Sequence, residues 1–265
     1  MGKITDALKK AAEERMSRIE KLDSQTQVRY EYIAKKTVES KIDSRIVAFY
    51  DSYSPVTEQY RKLRTNIQTL KKEKPIQTMI ITSSIHGEGK SITSVNMAIC
   101  YSQEAGKKKV LLIDTDMRRS RVHKYLGIAN EMGLADILAD DKPIDECLLN
   151  IKDIENLTVL SAGKTNQNPA ELLGSVKFSN LMAALKKRYD YIILDTPPVI
   201  PVTDTVLIAP HTDGTLMVVQ ANRTQKGVIR HSEGMLKQAQ AKLLGYILTN
   251  IQYHIPAYVY RYLQN

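Results

Sequence analysis

Residues 84–91 read Ser84, Ile85, His86, Gly87, Glu88, Gly89, Lys90 and Ser91, and no other stretch restricts the fold as tightly. The apolar run Met79, Ile80 and Ile81 precedes them and a helical pattern follows. The octapeptide matches the P-loop pattern G-x-x-x-x-G-K-[ST] at every position but the first, where Ser84 stands for Gly. A chain can curl its backbone N–H groups around phosphate oxygens only where side chains are small. Gly87 and Gly89 supply conformations that a Cβ would obstruct. Lys90 would reach the β- and γ-phosphates, the Ser91 hydroxyl would ligand Mg²⁺, and the helix starting near Ser91 turns its positive end to the anion. A bare match is also met by an ordinary turn before a helix; the strand–loop–helix setting favours the phosphate loop.

The rest of the chain supplies the sheet such a loop needs. Strand-like runs fall at Thr78–Thr82, Lys109–Ile113, Leu157–Leu160, Tyr191–Leu194, Thr215–Val219 and Leu244–Thr249. Helical patterns fall at Val56–Leu70, Ser91–Gln103, Leu134–Ala139, Lys177–Arg188 and Lys226–Gln240. Apolar strands alternating with helices predict an α/β fold, a mostly parallel sheet with helices on both faces. The phosphate site then belongs at the carboxyl ends of the strands. Residues 1–50 are expected to be an N-terminal helix and linker, 51–252 the P-loop domain and 253–265 a separate tail. Within 1–23, Ile4, Ala7, Leu8, Ala11, Ala12, Met16, Ile19 and Leu22 form one apolar helix stripe, suited to its own domain or to docking a partner. Residues 24–53 lack periodicity and read as linker.

Bulk properties bound the setting. A chain of 265 residues holds one large α/β domain with an appendage. No apolar run approaches the roughly 18–20 residues that span a bilayer. The charged N-terminus lacks a signal-peptide core, and Asp6 breaks the myristoylation pattern. A cytoplasmic protein is expected, meeting the membrane's inner face through a partner. Cys100 and Cys147 have neither metal-ligand nor redox spacing. The net charge of +9 suits nucleic acid, anionic lipid or acidic partners about equally, so it selects none.

Two apolar strands end in acids. Val110 to Ile113 runs into Asp114, Thr115 and Asp116, and Ile192 to Leu194 runs into Asp195. Carboxylates gathered beside a phosphate require a cation, and Mg²⁺ takes carboxylate, hydroxyl, water and phosphate oxygens. Asp195 and Asp116 are the candidate metal ligands with Ser91. Asp114 is free to deprotonate an attacking hydroxyl. A single strand-terminal Asp ordinarily caps the next turn; three converging on one loop point to a site. Arg118 follows, with Arg119, either to neutralise charge on a transferred phosphoryl group or as a solvated pair. Arg223 and Asn250, at strand ends, are the guesses for adenine contacts.

Tyr253, Tyr258, Tyr260 and Tyr262 place four of 14 tyrosines in the last 13 residues, in a chain without Trp and with two Phe. Proportional scatter would put fewer than one there. Alternation at 258, 260 and 262 fits a short edge strand; it also fits a row of phenol nucleophiles on a mobile chain end beside a nucleotide site. Tyr30, Tyr32, Tyr50 and Tyr53 are further possible acceptors that local packing explains equally well.

Over roughly residues 50–265 the chain resembles the bacterial tyrosine kinases (BY-kinases). Ser84–Ser91 is similar to their Walker A, Asp114-Thr115-Asp116-Met117-Arg118 to their second Walker motif D-x-D-x-R, and Ile192–Asp195 continuing into Thr196, Pro197 and Pro198 to their Walker B. Glu58, Arg61 and Arg64 fit the family's E-x-x-R-x-x-R, implicated in subunit association. The resemblance implies ATP and Mg²⁺ as cofactors, a P-loop fold of the MinD/ParA kind, and phosphorylation of the Tyr253, Tyr258, Tyr260 and Tyr262 cluster by a neighbouring subunit. It implies a homo-oligomer, a separate membrane adaptor of polysaccharide synthesis, a phosphotyrosine phosphatase, and no nucleic acid. A MinD/ParA-like ATPase switch carries a second lysine where this chain has Ile85. A nucleotide-gated scaffold without kinase activity is the other alternative.

Overall fold

A computed structural model describes residues 36–38, 41–70 and 75–251. The predicted N-terminal helix, Lys71–Lys74 and the tyrosine tail lie outside the described residues.

One sheet of eight strands organises the described chain. The strands are β1 (Lys36–Val38), β2 (Thr78–Ser83), β3 (Val110–Asp114), β4 (Leu148–Ile151), β5 (Leu157–Leu160), β6 (Tyr191–Asp195), β7 (Gly214–Gln220) and β8 (Leu243–Thr249). Their order is β1-β4-β5-β3-β6-β2-β7-β8. Pairing is parallel except between β4 and β5. These two are joined by the short connection 152–156, which suffices for a hairpin and is too short for a crossover. Each strand predicted from the sequence is present within a residue or two; β1 and β4 are additions.

The helices are α1 (Val47–Tyr50), α2 (Pro55–Thr69), α3 (Lys90–Ser102), α4 (Val122–Leu126), α5 (Leu134–Asp140), α6 (Ile144–Cys147), α7 (Pro169–Leu173), α8 (Val176–Lys186), α9 (Asp204–Ile208) and α10 (Lys226–Gln238). They cover both faces. On one, Val95, Met97, Ile99 and Tyr101 of α3 meet Met79, Ile81, Leu112 and Ile193. On the other, Phe178, Leu181 and Leu185 of α8 meet Ile80, Leu111, Ile113 and Leu194. Strands buried on both sides are apolar at successive positions, which explains their continuous runs.

The linker expectation fails at its end. Ile42, Ile46 and Ala48 are buried in the main core, and the Ala48 N–H donates to Asn96 Oδ1 at 2.9 Å. The domain therefore begins before residue 51. Three well-spaced contacts and a four-residue helix leave no periodicity to read.

Candidate functional site

The octapeptide turns between β2 and α3. Gly87 and Gly89 take φ of +83° and +92°, a region that favours glycine, and Gly89 caps the N-terminus of α3. A Cβ at Gly87 would also stand 2.9 Å from Arg223 Nη1. The loop is held from outside. Arg223 donates to the Gly87 carbonyl at 2.9 Å and the His86 carbonyl at 3.0 Å, and Thr249 Oγ1 donates to the Glu88 carbonyl at 2.8 Å. Arg223 thus braces the phosphate loop, a role other than the adenine contact guessed from its position. Glu88 is buried, and its carboxylate accepts from the N–H of Ile85 at 2.9 Å, the N–H of Gln220 at 3.3 Å and the Thr224 hydroxyl. A loop gripped through its carbonyls is preset to offer N–H groups to an anion.

The register brings the acids together. Asp114 on β3 pairs directly with Asp195 on β6, and Asp195 is in turn aligned with Ile81 on β2. Lys90 lies between carboxylates, with Nζ 3.0 Å from Asp116 Oδ2 and 3.8 Å from Asp195 Oδ2. It also contacts Ser91 Oγ at 3.3 Å. Burial works against the Lys90 charge, and Asp195, Asp116 and Asp114 outweigh it, so its pKa rises. Burial raises the pKa of Asp195, with Lys90, Ser91 and Ser94 acting in the opposite direction. Burial and the neighbouring Asp195 raise Asp114 to about 7.

The two oxygens of Asp195 differ. Oδ1 accepts from Ser94 Oγ at 2.9 Å, while Oδ2 is buried without a hydrogen-bond donor. An orphaned carboxylate oxygen beside the Ser91 hydroxyl, among three buried acids and one ammonium, fits a divalent cation. Among the described residues no three His, Cys, Asp or Glu side chains form a cage of their own.

Asp114 is itself a cap. Its Oδ2 accepts from Ser120 Oγ at 2.8 Å and from the N–H groups of Arg121 and Val122 at 3.1 Å each, at the start of α4. Its Oδ1 accepts from the Asp116 N–H at 3.1 Å. Asp116 Oδ1 accepts from the Arg119 N–H at 2.9 Å. Arg118 is not a solvated partner of Arg119 but is engaged across the site. Its Nε and Nη2 clasp the fully buried Asp204 carboxylate at 2.9 and 3.1 Å, tying the acid-bearing loop to α9.

Of the proposed association motif, Glu58 and Arg61 pair at 3.6 Å on the outer side of α2. Arg64 departs from that surface: its guanidinium donates to the Cys100 carbonyl, one of the C-terminal groups that α3 leaves without a helical partner. Tyr50 spends its hydroxyl on the Ile42 carbonyl although its side chain is 57% exposed, and Tyr53 is 95% exposed. Tyr30, Tyr32, Tyr253, Tyr258, Tyr260 and Tyr262 lie outside the described residues. No described helix is long and apolar enough to cross a membrane.

The AAA domain family matches residues 64–243. Tyrosine-protein kinase YwqD of Bacillus subtilis (strain 168) is 34% identical over 209 residues, covering 79% of this chain and 87% of that protein. Tyrosine-protein kinase CpsD of Streptococcus agalactiae is 35% identical over 204 residues, covering 76% and 87%. Among solved structures, the chimerical protein CapA2B2 superposes with a TM-score of 0.75 at 31% identity over 83% of this chain and 95% of that one. The kinase domain of Escherichia coli tyrosine kinase ETK gives 0.73 at 25% identity over 79% and 83%. The Pyrococcus furiosus cell division ATPase MinD shares the fold at 20% identity, with a TM-score of 0.57 over 71% and 78%.

Proposed function

The chain belongs to the bacterial tyrosine-protein kinase family, and from that premise we propose that it transfers the γ-phosphoryl group of ATP to its own C-terminal tyrosines, Tyr253, Tyr258, Tyr260 and Tyr262, in a neighbouring copy. The observation that supports this most is the buried register pair Asp114 and Asp195 beside Lys90, with Asp195 Oδ2 left without a donor. Ser91, Asp116 and Asp195 would hold Mg²⁺, which when bound neutralises charge on the transferring phosphoryl group. The loop from Ser84 to Lys90 binds the phosphates, and Lys90 moves from Asp116 toward them. Asp114 receives the phenol proton at Oδ1, the oxygen with a single donor in contact. Arg118 contributes through Asp204, by holding the loop that carries Asp114 and Asp116.

Glu58 and Arg61 belong to the surface through which copies associate; Arg64 ties the helix that bears them to the C-terminal end of α3. The physiological setting we propose is polysaccharide synthesis, with a separate membrane protein as adaptor and a phosphatase that resets the tail. Each phosphate adds about −1.5 to −2 charges. A phosphorylated tail is repelled from the acidic centre and leaves it.

The test is phosphotyrosine formed on incubation with Mg-ATP. Replacing the four tail tyrosines by Phe should remove most of it and leave nucleotide binding intact. Equal labelling of wild-type and Lys90→Met protein would rule the reading out. ATP-dependent assembly with no phosphotyrosine would favour a scaffold.

A further inference from the structure

A hydrogen-bonded line runs outward from Asp114: its Oδ2 lies 2.8 Å from Ser120 Oγ, and Ser120 Oγ lies 2.8 Å from His123 Nδ1. Asp114 is fully buried, and His123 is only half-buried on α4. Donor and acceptor accounting fixes the direction of the line. Oδ2 already faces two backbone donors, the N–H groups of Arg121 and Val122. Two N–H groups converging on one oxygen leave no place for a hydrogen of its own, and an ionised carboxylate oxygen, an acceptor only, takes a third donor. The contact with Ser120 therefore needs the serine hydrogen. A hydroxyl has one hydrogen, and with it committed to Asp114 only lone pairs remain toward the imidazole. His123 must then carry its hydrogen on Nδ1.

We propose that His123 and Ser120 are positioning residues for Asp114: the Nδ1–H of His123 holds the Ser120 oxygen, which commits the Ser120 hydrogen to Oδ2 and leaves Oδ1 to meet the acceptor phenol. The catalytic consequence rests on the assignment of Asp114 as the base. The order of groups is that of a hydrolase triad turned around, with the carboxylate at the reacting end and the imidazole as the outer orienting group. Without the imidazole, the Ser120 hydroxyl can rotate to other acceptors and the carboxylate loses one of the four hydrogen bonds that orient it. Burial, then Lys124 and Arg121, lower the His123 pKa, so the neutral ring is the form present near neutrality. The imidazolium also carries Nδ1–H, so acid leaves the line intact.

Nitrogen-15 NMR of the histidine rings, in the full nucleotide-free chain near neutral pH, reads the tautomer directly. His123 should appear as Nδ1–H, the less common neutral form. Ser120→Ala should return it to the ordinary Nε2–H form. An Nε2–H ring in the wild-type protein overturns the inference. Kinetics supply the second arm, because an asparagine amide reaches the Nδ1 position and a glutamine amide reaches that of Nε2. His123→Asn should keep kcat within about twofold of wild type. His123→Gln should lower it about tenfold with KM for ATP unchanged, the size of one lost hydrogen bond to a charged group's partner. Equal rates for the two variants would count against a positioning role even if both fold, and the tautomer measurement decides should either fail to fold. Asp114→Asn at full rate would refute the base assignment itself. That failure is distinct from an Nε2–H ring, which refutes the present inference alone.

Discussion

Glu88 is the residue whose replacement separates a preset phosphate loop from a merely flexible one. It occupies a variable position of the P-loop pattern, yet it is buried and its carboxylate accepts three hydrogen bonds. Two donors meet Oε1, the Gln220 N–H and the Thr224 hydroxyl; one, the Ile85 N–H, meets Oε2. Glu88→Gln preserves shape but keeps only one accepting oxygen. If the amide oxygen faces Gln220, the amide nitrogen opposes the Ile85 N–H; if it is flipped, it opposes the Gln220 N–H. Either orientation leaves a buried backbone donor unpaired and weakens the remaining bonds by removing the charge. The cost is about 2–3 kcal/mol. At roughly 2–4 °C per kcal/mol for a chain of this size, the melting temperature should fall by about 4–12 °C. The same change frees the loop, so ADP affinity should drop as well. Thermal unfolding with and without Mg-ADP, beside a nucleotide titration, reads both quantities. A Glu88→Gln protein melting within about 1 °C of wild type and binding ADP equally would show that the carboxylate does not set the loop.

Three further outcomes follow from the same geometry. Arg118→Ala strands the fully buried Asp204 carboxylate, and unfolding should become easier by about 3 kcal/mol, toward the lower end for a broken pair because the Arg118 side chain is 37% exposed; denaturant titration checks it, and Arg118→Lys should recover only part because a lysine cannot clasp both oxygens. Asp114 has a folded pKa of about 7 against an ordinary 3.8, so its contribution to stability is fully present below about pH 4 and is lost as pH rises through 7. Folding should therefore take up protons between those values, and binding of Mg-ADP near pH 7 should release them, measurable by calorimetry in buffers of different ionisation enthalpy. Tyr50→Phe should cost about 1 kcal/mol through the lost bond to the Ile42 carbonyl, whereas Tyr53→Phe should leave the melting temperature unchanged.

What could be read from the sequence, and what could not, divides along a physical line. The phosphate loop and the strand-terminal acids were legible because the backbone leaves little choice there: positive φ selects Gly87 and Gly89, and a strand buried on both faces must be apolar until Asp114 or Asp195 interrupts it. The sheet followed from the same continuous runs. The residues that hold the site in shape were not legible. Asp204 clasps Arg118 across 86 positions of sequence, Arg223 reaches His86 across 137, and Ser120 and His123 belong to no motif the sequence offers. Each satisfies an orphaned donor or acceptor, and several residue types at several positions would satisfy it equally well, so no pattern marks the one chosen. The Arg64 reading shows the same limit: the motif was given by the family resemblance, but the Cys100 carbonyl that takes its guanidinium belongs to another helix. Residues that perform chemistry are constrained by the reaction and show in one dimension. Those that orient them are constrained only by the folded neighbourhood, and for that reason Glu88, Ser120 and His123 emerge as candidates only once the chain is closed around the loop.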